Sequence, residues 1–287
     1  MSGTVNSVNT NVGAMIALDA LNSTNSALNG VQKQISTGFR VSDATDDGAA
    51  YAVAQSVRSS VGALATANQQ LGSAQGLLST SSSALNDISN LMSSMRDVLV
   101  SLSNGATQGN ERTQYESQYK SLVANVKSFV QDASYNGQSL IGNITGSSGT
   151  FGSIAVVRNE VGSTYGIATF SGSAMYGSLA FTSTQLNGAS TVAALITATG
   201  TFINQSNSVS SALNTYGSAT NFVSNQLSYN NDKINSLNAG LGSLVDANLA
   251  QESALLQALQ IKQQLATQSL TLADQTPQIL LSLVKGA

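Results

Sequence analysis

Between Val57 and Leu102 apolar residues recur with a regularity that leaves little freedom in how the chain can fold. Val57, Leu64, Leu71, Leu78, Leu85, Met92 and Leu99 follow one another at seven-residue steps without a break. Ala67, Ala74, Ile88, Met95 and Leu102 each stand three residues after a member of that set. Alternating steps of three and four bring both sets onto one face of a helix, the a/d seam of a coiled coil. A helix from about Asp43 to Leu102 would be roughly 90 Å long at about 1.5 Å per residue, which predicts a rod.

A Gly/Asn-rich loop at Asn104–Asn110 separates this helix from a shorter one carrying Tyr115, Tyr119, Leu122, Val126, Phe129 and Val130. Ser134–Gly137 ends it, with Gly137 expected as a left-handed C-cap. From about Leu140 to Asn187 Gly and Ser become frequent. Ile154–Val157, Tyr165–Phe170 and Leu179–Phe181 read as short strands of a small β subdomain. Helical spacing returns at Val192, Leu195, Ile196, Thr199, Phe202 and Ile203 and continues through Val209 and Leu213.

The two ends are amphipathic as well. Val5, Val8, Val12, Ile16, Leu21, Leu28, Val31 and Ile35 mark one helix. Leu241, Leu244, Val245, Leu249, Leu255, Leu256, Leu259, Leu265, Leu270 and Ala273 mark the other. They could pack on the rest of the chain and complete its core. The broad apolar faces favour another reading, in which they stay without structure until neighbouring subunits cover them. A head-to-tail contact whose rotation does not close then generates a helical filament.

Composition removes most chemistry. The 287 residues include no Cys, His or Trp and a single proline, Pro277. Thiolate and imidazole metal ligands are absent, and so are Ser-His-Asp and Cys-His catalysis. A grafted His-Glu-x-x-His protease is closed by the same lack. No enzyme activity, cofactor or metal is expected. Charged residues make up 9% and the net charge is −3, so no basic surface for nucleic acid or anionic lipid is expected. The stretch from Met1 to Ile16 has neither a charged n-region nor a continuous apolar run, so it does not read as a secretory signal peptide. No segment reaches the ~20 apolar residues of a membrane span.

Asp43, Asp46 and Asp47 before Gly48 have the look of a calcium loop, but Ala54 stands where the bidentate Glu is required. They read better as a helix N-terminus with Asp43 as its cap. Gly240–Leu241–Gly242 lacks the Lys-Ser/Thr of a phosphate loop and reads as a helix break, with Gly38 its counterpart on the N-terminal side. Arg40 could meet a carboxylate of a neighbouring subunit or simply be solvated. Ser and Thr between Thr145 and Thr184 could carry O-linked glycans or form a bare polar surface.

Several segments resemble one family. Ile35-Ser-Thr-Gly-Phe-Arg-Val41 followed by Asp43-Ala-Thr-Asp-Asp-Gly-Ala-Ala50 is similar to the N-terminal signature of bacterial flagellins, Leu-Ser-Ser-Gly-Leu-Arg-Ile and an acidic Asp-Asp-Ala-Ala-Gly turn. Val8–Asn11 resembles their Ile-Asn-Thr-Asn start, and Tyr135–Leu140 their Phe-Asn-Gly-Gln-x-Leu. Leu244–Ala254 and the tail through Gln263, Gln268, Pro277, Leu281 and Leu283 resemble the C-terminal signature. Gly48-Ala-Ala50 in place of Ala-Ala-Gly is a variant seen in alphaproteobacterial flagellins. The chain ends in Val284-Lys-Gly-Ala287 rather than in Arg.

The resemblance implies a mainly α fold, a helical rod with a small β-hairpin subdomain and terminal helices that pair into an inner coiled-coil shell on assembly. It divides the chain into N-terminal inner core (1–42), rod (43–140), small insert (141–187), rod again (188–240) and C-terminal inner core (241–287). The inner-core interface would comprise Val8, Val12, Ile16, Leu21, Leu28, Ile35, Leu249, Leu256, Leu259, Leu270, Leu280 and Leu283. The rod seam would run Val57, Leu64, Leu71, Leu78, Leu85, Ile88, Met92, Met95, Leu99 and Leu102. The turns between shells would use Gly38, Arg40, Asp43, Asp46, Asp47, Gly240 and Gly242. Implied partners are further copies of the chain, the flagellar cap, hook–filament junction proteins and an export chaperone at the C-terminal segment. The implied location is the extracellular flagellum, reached through the flagellar type III secretion channel without a cleaved signal peptide. A junction protein, which shares both ends, is the nearest alternative, and a glycan-binding adhesin a more distant one.

Overall fold

The computed structural model describes residues 10–285, with side chains for residues 10–275. Eight helices and four short strands occur among them: α1 Val12–Thr37, α2 Gly48–Ser103, α3 Gly109–Asp132, β1 Gln138–Ser139, β2 Thr150–Phe151, β3 Ile154–Val157, β4 Thr164–Ile167, α4 Gly172–Leu179, α5 Ser183–Asn187, α6 Ala189–Leu195, α7 Thr201–Val245 and α8 Leu249–Lys285. The fold is mainly α. It divides into two units, Met1–Ser59 with Ser236–Ala287, and Ser60–Asn235.

In the first unit α1 starts at Asn11, whose side chain accepts from the Ala14 amide at 3.1 Å. It stops at Gly38, which adopts φ 73° and donates back to Gln34 O at 2.8 Å. That left-handed residue admits glycine without steric penalty. α8 runs antiparallel to α1. Asn11 Nδ2 donates to Ala273 O (2.7 Å), Gln263 Nε2 donates to Asn25 Oδ1 (2.7 Å), and Leu28, Val31 and Leu259 form a small buried cluster with Ile35 and Leu256 at its edge. The two terminal helices are thus paired within one chain, where the sequence reading left them without structure until neighbours arrive.

In the second unit the α2 seam is almost wholly buried. Leu64, Leu71, Leu78, Leu85, Ile88, Met92, Met95, Leu99 and Leu102 expose 2% or less of their surface. Ser81 takes the seam position between Leu78 and Leu85, its hydroxyl buried without a hydrogen-bond partner. Val57, the first member of the predicted seam, is only half-buried. Tyr119 and Tyr216 cross the core and donate to Leu179 O (2.8 Å) and Leu140 O (3.0 Å). Burial holds both phenols above the ordinary tyrosine range.

Tyr135 and Gln138 exchange backbone hydrogen bonds of 2.8 and 3.0 Å around Asn136 and Gly137, which both have positive φ (49° and 76°). This is the Asn-Gly geometry of a type I′ turn. Gly137 therefore sits in a hairpin turn rather than capping α3, which ends at Ala133. The Tyr135 ring lies so close to α2 at Gly76 that an added Cβ there would stand 2.6 Å from it. β3 and β4 form an antiparallel hairpin in the register Ile154↔Ile167 and Val157↔Thr164.

The region 141–187 is less β-like than its Gly/Ser content suggests. Leu179–Phe181, expected as a strand, is the end of α4 and the residues after it, and α5 follows. Gly172, Met175 and Leu179 are buried at helical spacing, and Ser171 and Thr182 supply N-caps at 3.2 and 3.3 Å. The cap residues outweigh the composition. The helical run expected from Val192 onward is interrupted at Ile196–Gly200, between α6 and α7.

Candidate assembly surfaces

The connector between α1 and α2 is built on Lys33. Its Nζ lies 2.6 Å from Asp43 Oδ2 and 2.8 Å from Asp46 Oδ1. Asp46 also accepts from Ser42 N and Ser42 Oγ at 2.9 Å each, and Asp43 accepts from Thr45 N at 2.8 Å. The Lys33 ammonium is the main reason both carboxyls sit below the usual range, Asp43 at about 2 and Asp46 lower still. The two carboxylates raise Lys33 in return. A side-chain ammonium thus stands where a calcium reading would put the ion, and no group of three potential ligands occurs among the described residues. The helix cap is Asp47, not Asp43. Its Oδ1 accepts from Ala49 N and Ala50 N at 3.0 Å each, and its carbonyl accepts the first helical bond from Tyr51. Asp43 lies four residues before that cap with its oxygens already engaged.

Residues 38–41 and 244–247 are strapped together. Arg40 N donates to Val245 O (2.7 Å), Ala247 N to Gly38 O (2.9 Å), and Phe39 bridges Asp246. The Arg40 guanidinium donates to Leu244 O, so its partner is a carbonyl of its own chain. Val41, Ala50, Ala54 and Val245 close a small core beside this strap, and the Arg58 guanidinium lies 5.8 Å from the Phe39 ring centre. Gly240 and Gly242 are not the break. α7 runs through both, and the chain leaves the helix at Asp246–Asn248. Isolated glycines cost a helix about 1 kcal/mol each, too little to end one that is packed at Leu241, Leu244 and Val245.

The residues expected at an inner-core interface divide into two groups. Leu28 and Leu259 are buried in the α1–α8 cluster, and Leu21, Ile35, Leu256 and Leu270 are half-buried. Val12 (53%), Ile16 (67%) and Leu249 (50%) stay exposed. Val8 lies outside the described residues, as do the side chains of Leu280 and Leu283. Sequence reasoning passed over Met15, Leu18, Ile261 and Leu272, all of them exposed. The signal was the width of the apolar stripe, greater than one partner helix can cover.

No helix among the described residues is long and apolar enough to cross a membrane. Two family models match the chain: the bacterial flagellin N-terminal helical region over residues 8–145 and the bacterial flagellin C-terminal helical region over residues 196–284. The chain belongs to the bacterial flagellin family. Flagellin FljM of Caulobacter vibrioides is 32% identical over 281 residues, covering 98% of this chain and 99% of that one. A flagellin of Brucella melitensis is 33% identical over 296 residues with the same coverage. A solved structure described as a flagellar hook-associated protein from Vibrio parahaemolyticus shares the fold, with a TM-score of 0.55, 16% identity, and coverage of 70% of this chain and 100% of that one. As a flagellin, the chain is a structural subunit that polymerises into the extracellular filament and serves motility; it is not an enzyme. The exposed apolar stripes and the strapped connector have this polymer as their context.

Proposed function

We propose that the work of polymerisation is divided along the chain. Residues 1–42 and 241–287 form the inner shell of the filament, 43–140 and 188–240 the shell around it, and 141–187 its small outward part. The observation that carries this reading is the apolar surface left on α1 and α8: Val12, Met15, Ile16, Leu18, Leu249, Leu255, Ile261, Leu265 and Leu272 are all 43% exposed or more. A helix pair that buries Leu28, Val31 and Leu259 yet leaves so much apolar area in water gains by adding copies of itself. A buried seam along α2, in contrast, stabilises the subunit itself.

The same surfaces would meet the flagellar cap at the growing end and the hook–filament junction proteins at the base. An export chaperone would cover the C-terminal segment before assembly, and delivery would run through the flagellar type III channel. Negative-stain electron microscopy of the purified chain, with ammonium sulfate added to promote assembly, tests the division. The full chain is expected to form filaments, and a chain lacking 245–287 is expected to stay monomeric. Filaments from the truncated chain would sink the inner-shell assignment. Persistent monomers of the full chain would favour a junction role.

A further inference from the structure

The chain carries five methionines and no Cys, His or Trp, so a peroxide finds its most readily oxidised side chains among the thioethers. Three of the four described methionines are closed to solvent. Met92 exposes 2% of its surface, Met95 0% and Met175 1%, all in the core of Ser60–Asn235. Met15 on α1 is the exception, at 62%. Its position follows from the helix period. Ala14, Ala17 and Leu21 are half-buried and Thr24, Leu28 and Val31 buried, six residues at steps of three and four on the side of α1 that turns to α8. Met15 stands one residue, about 100°, off that side. Val12 (53%) and Leu18 (47%) lie three residues to either side of it and Ile16 (67%) follows it, so the thioether sits inside the open apolar stripe.

Resting on the filament reading, we propose that Met15 is an oxidation site through which a peroxide opposes assembly of the free subunit. A sulfur lone pair attacks one peroxide oxygen, the O–O bond breaks and an S–O bond forms. The hydrogen of the attacked oxygen passes to the departing hydroxide, which leaves as water. Sulfur is oxidised, the peroxide is reduced, and methionine sulfoxide remains. The product is polar where the side chain was apolar. Its new oxygen accepts hydrogen bonds, and the side chains of Val12, Ile16 and Leu18 around it hold no donor. Covering the stripe then strips that oxygen of water without replacing its bonds, a cost that falls on the polymer. The folded subunit bears none of it, because Met15 already faces water there. Burial keeps the three core methionines reduced, so the oxidant reaches the stripe and spares the fold. Enzymatic reduction of both sulfoxide epimers returns the thioether, which makes the step reversible.

Hydrogen peroxide is the probe. Free subunits are treated, quenched with catalase and mapped by peptide mass spectrometry, with far-UV circular dichroism and thermal melts as the control for folding. Sulfoxide is expected at Met15 at least about tenfold faster than at Met92, Met95 or Met175, and at least about tenfold more slowly at Met15 in assembled filaments. Addition of the oxidised subunits to fragmented untreated filaments, followed by light scattering, should slow about tenfold and recover after treatment with methionine sulfoxide reductases. Met15→Leu keeps the stripe apolar, so it should elongate at the wild-type rate and ignore peroxide; since it retains Met1, it also separates the two positions. Equal oxidation of Met15 and the core methionines, or of Met15 in filaments and free subunits, would overturn the proposal while leaving the filament reading in place. So would wild-type rates for the oxidised chain, or an equal slowing of oxidised Met15→Leu. An untreated chain that never elongates would overturn the filament reading, and the assembly effect of oxidation with it.

Discussion

The α1–α8 pair and the α2 seam are written in the same kind of sequence, Leu, Val and Ala at steps of three and four, and reach opposite outcomes. Along α2 from Leu64 to Leu102 the stripe is covered by α3, α7 and the small elements between them, and most of its seam residues are fully buried. Along α1 and α8 the stripe is wider than one partner. Leu28, Val31 and Leu259 are buried, and Ile16, Ile261 and Leu265 face water at 58% exposure or more. A helical apolar stripe thus states that something must cover it, and its width relative to the available partner states whether that something belongs to the same chain.

The comparison breaks most visibly in a pair of substitutions. Leu99→Ala, in the closed seam, is expected to lower the stability of the subunit by about 2–5 kcal/mol in urea unfolding. Leu265→Asp, on the open stripe, should leave the monomer melt unchanged and abolish sedimentable filaments. Equal loss of monomer stability in both would remove the distinction. Leu259→Asp is a poorer probe, since Leu259 is already buried against α1.

A smaller effect sharpens the account of the closed unit. Asn230, fully buried in α7, donates to Asn68 Oδ1 (2.8 Å) and Arg158 O (3.0 Å) and accepts from Gln226 (2.9 Å). It ties α7 to α2 and to the β3–β4 hairpin. Asn230→Leu removes all three of these bonds and should cost about 1–3 kcal/mol, read as a lower urea midpoint. An unchanged midpoint would show that the amide cluster is dispensable. Smaller again is Gly240→Ala. A Cβ there meets open space, so α7 should gain about 0.5–1 kcal/mol with polymerisation intact. Loss of polymerisation would restore the hinge that the sequence suggested.

The smallest effect concerns pH and the open unit's connector. Asp43 and Asp46 titrate below their unfolded values because of Lys33, so their contribution is complete above about pH 4 and fades as pH falls toward 2. Lys33 is raised, so its part is complete below about pH 10 and fades as pH climbs through its folded value. Carboxyl NMR titration should place Asp43 near 2, and Lys33→Met should return it toward about 4. An unmoved Asp43 would mean that the Thr45 and backbone contacts alone hold it down.

Much of this was legible in the residues. The seam from Leu64 on and the amphipathic ends follow from periodicity, and the hairpin strand Ile154–Val157 from its β-branched residues. What was hidden depended on local hydrogen bonds rather than period. Asp47 rather than Asp43 caps α2 because only its carboxylate reaches the first free amides. α4 and α5 hide in a Gly/Ser-rich stretch because their N-caps come from single Ser and Thr residues. Arg40 finds a carbonyl 204 residues away, a partner that no local pattern announces.

The unit that holds both termini consists of the first and last parts of the chain, whereas Ser60–Asn235 is one uninterrupted stretch. A chain made or delivered N-terminus first can complete the uninterrupted stretch early, while the strap of Arg40 and Val41 onto Val245 has to wait until almost everything has emerged. Once Asn68 and Asn231 are bonded at 2.9 Å, the strands leading outward begin as neighbours, and the entropy of closing a loop of such length has already been met. Timing is therefore encoded in the order of the segments: the unit that carries the open apolar stripes of α1 and α8 is finished last, by a chain whose middle is already folded.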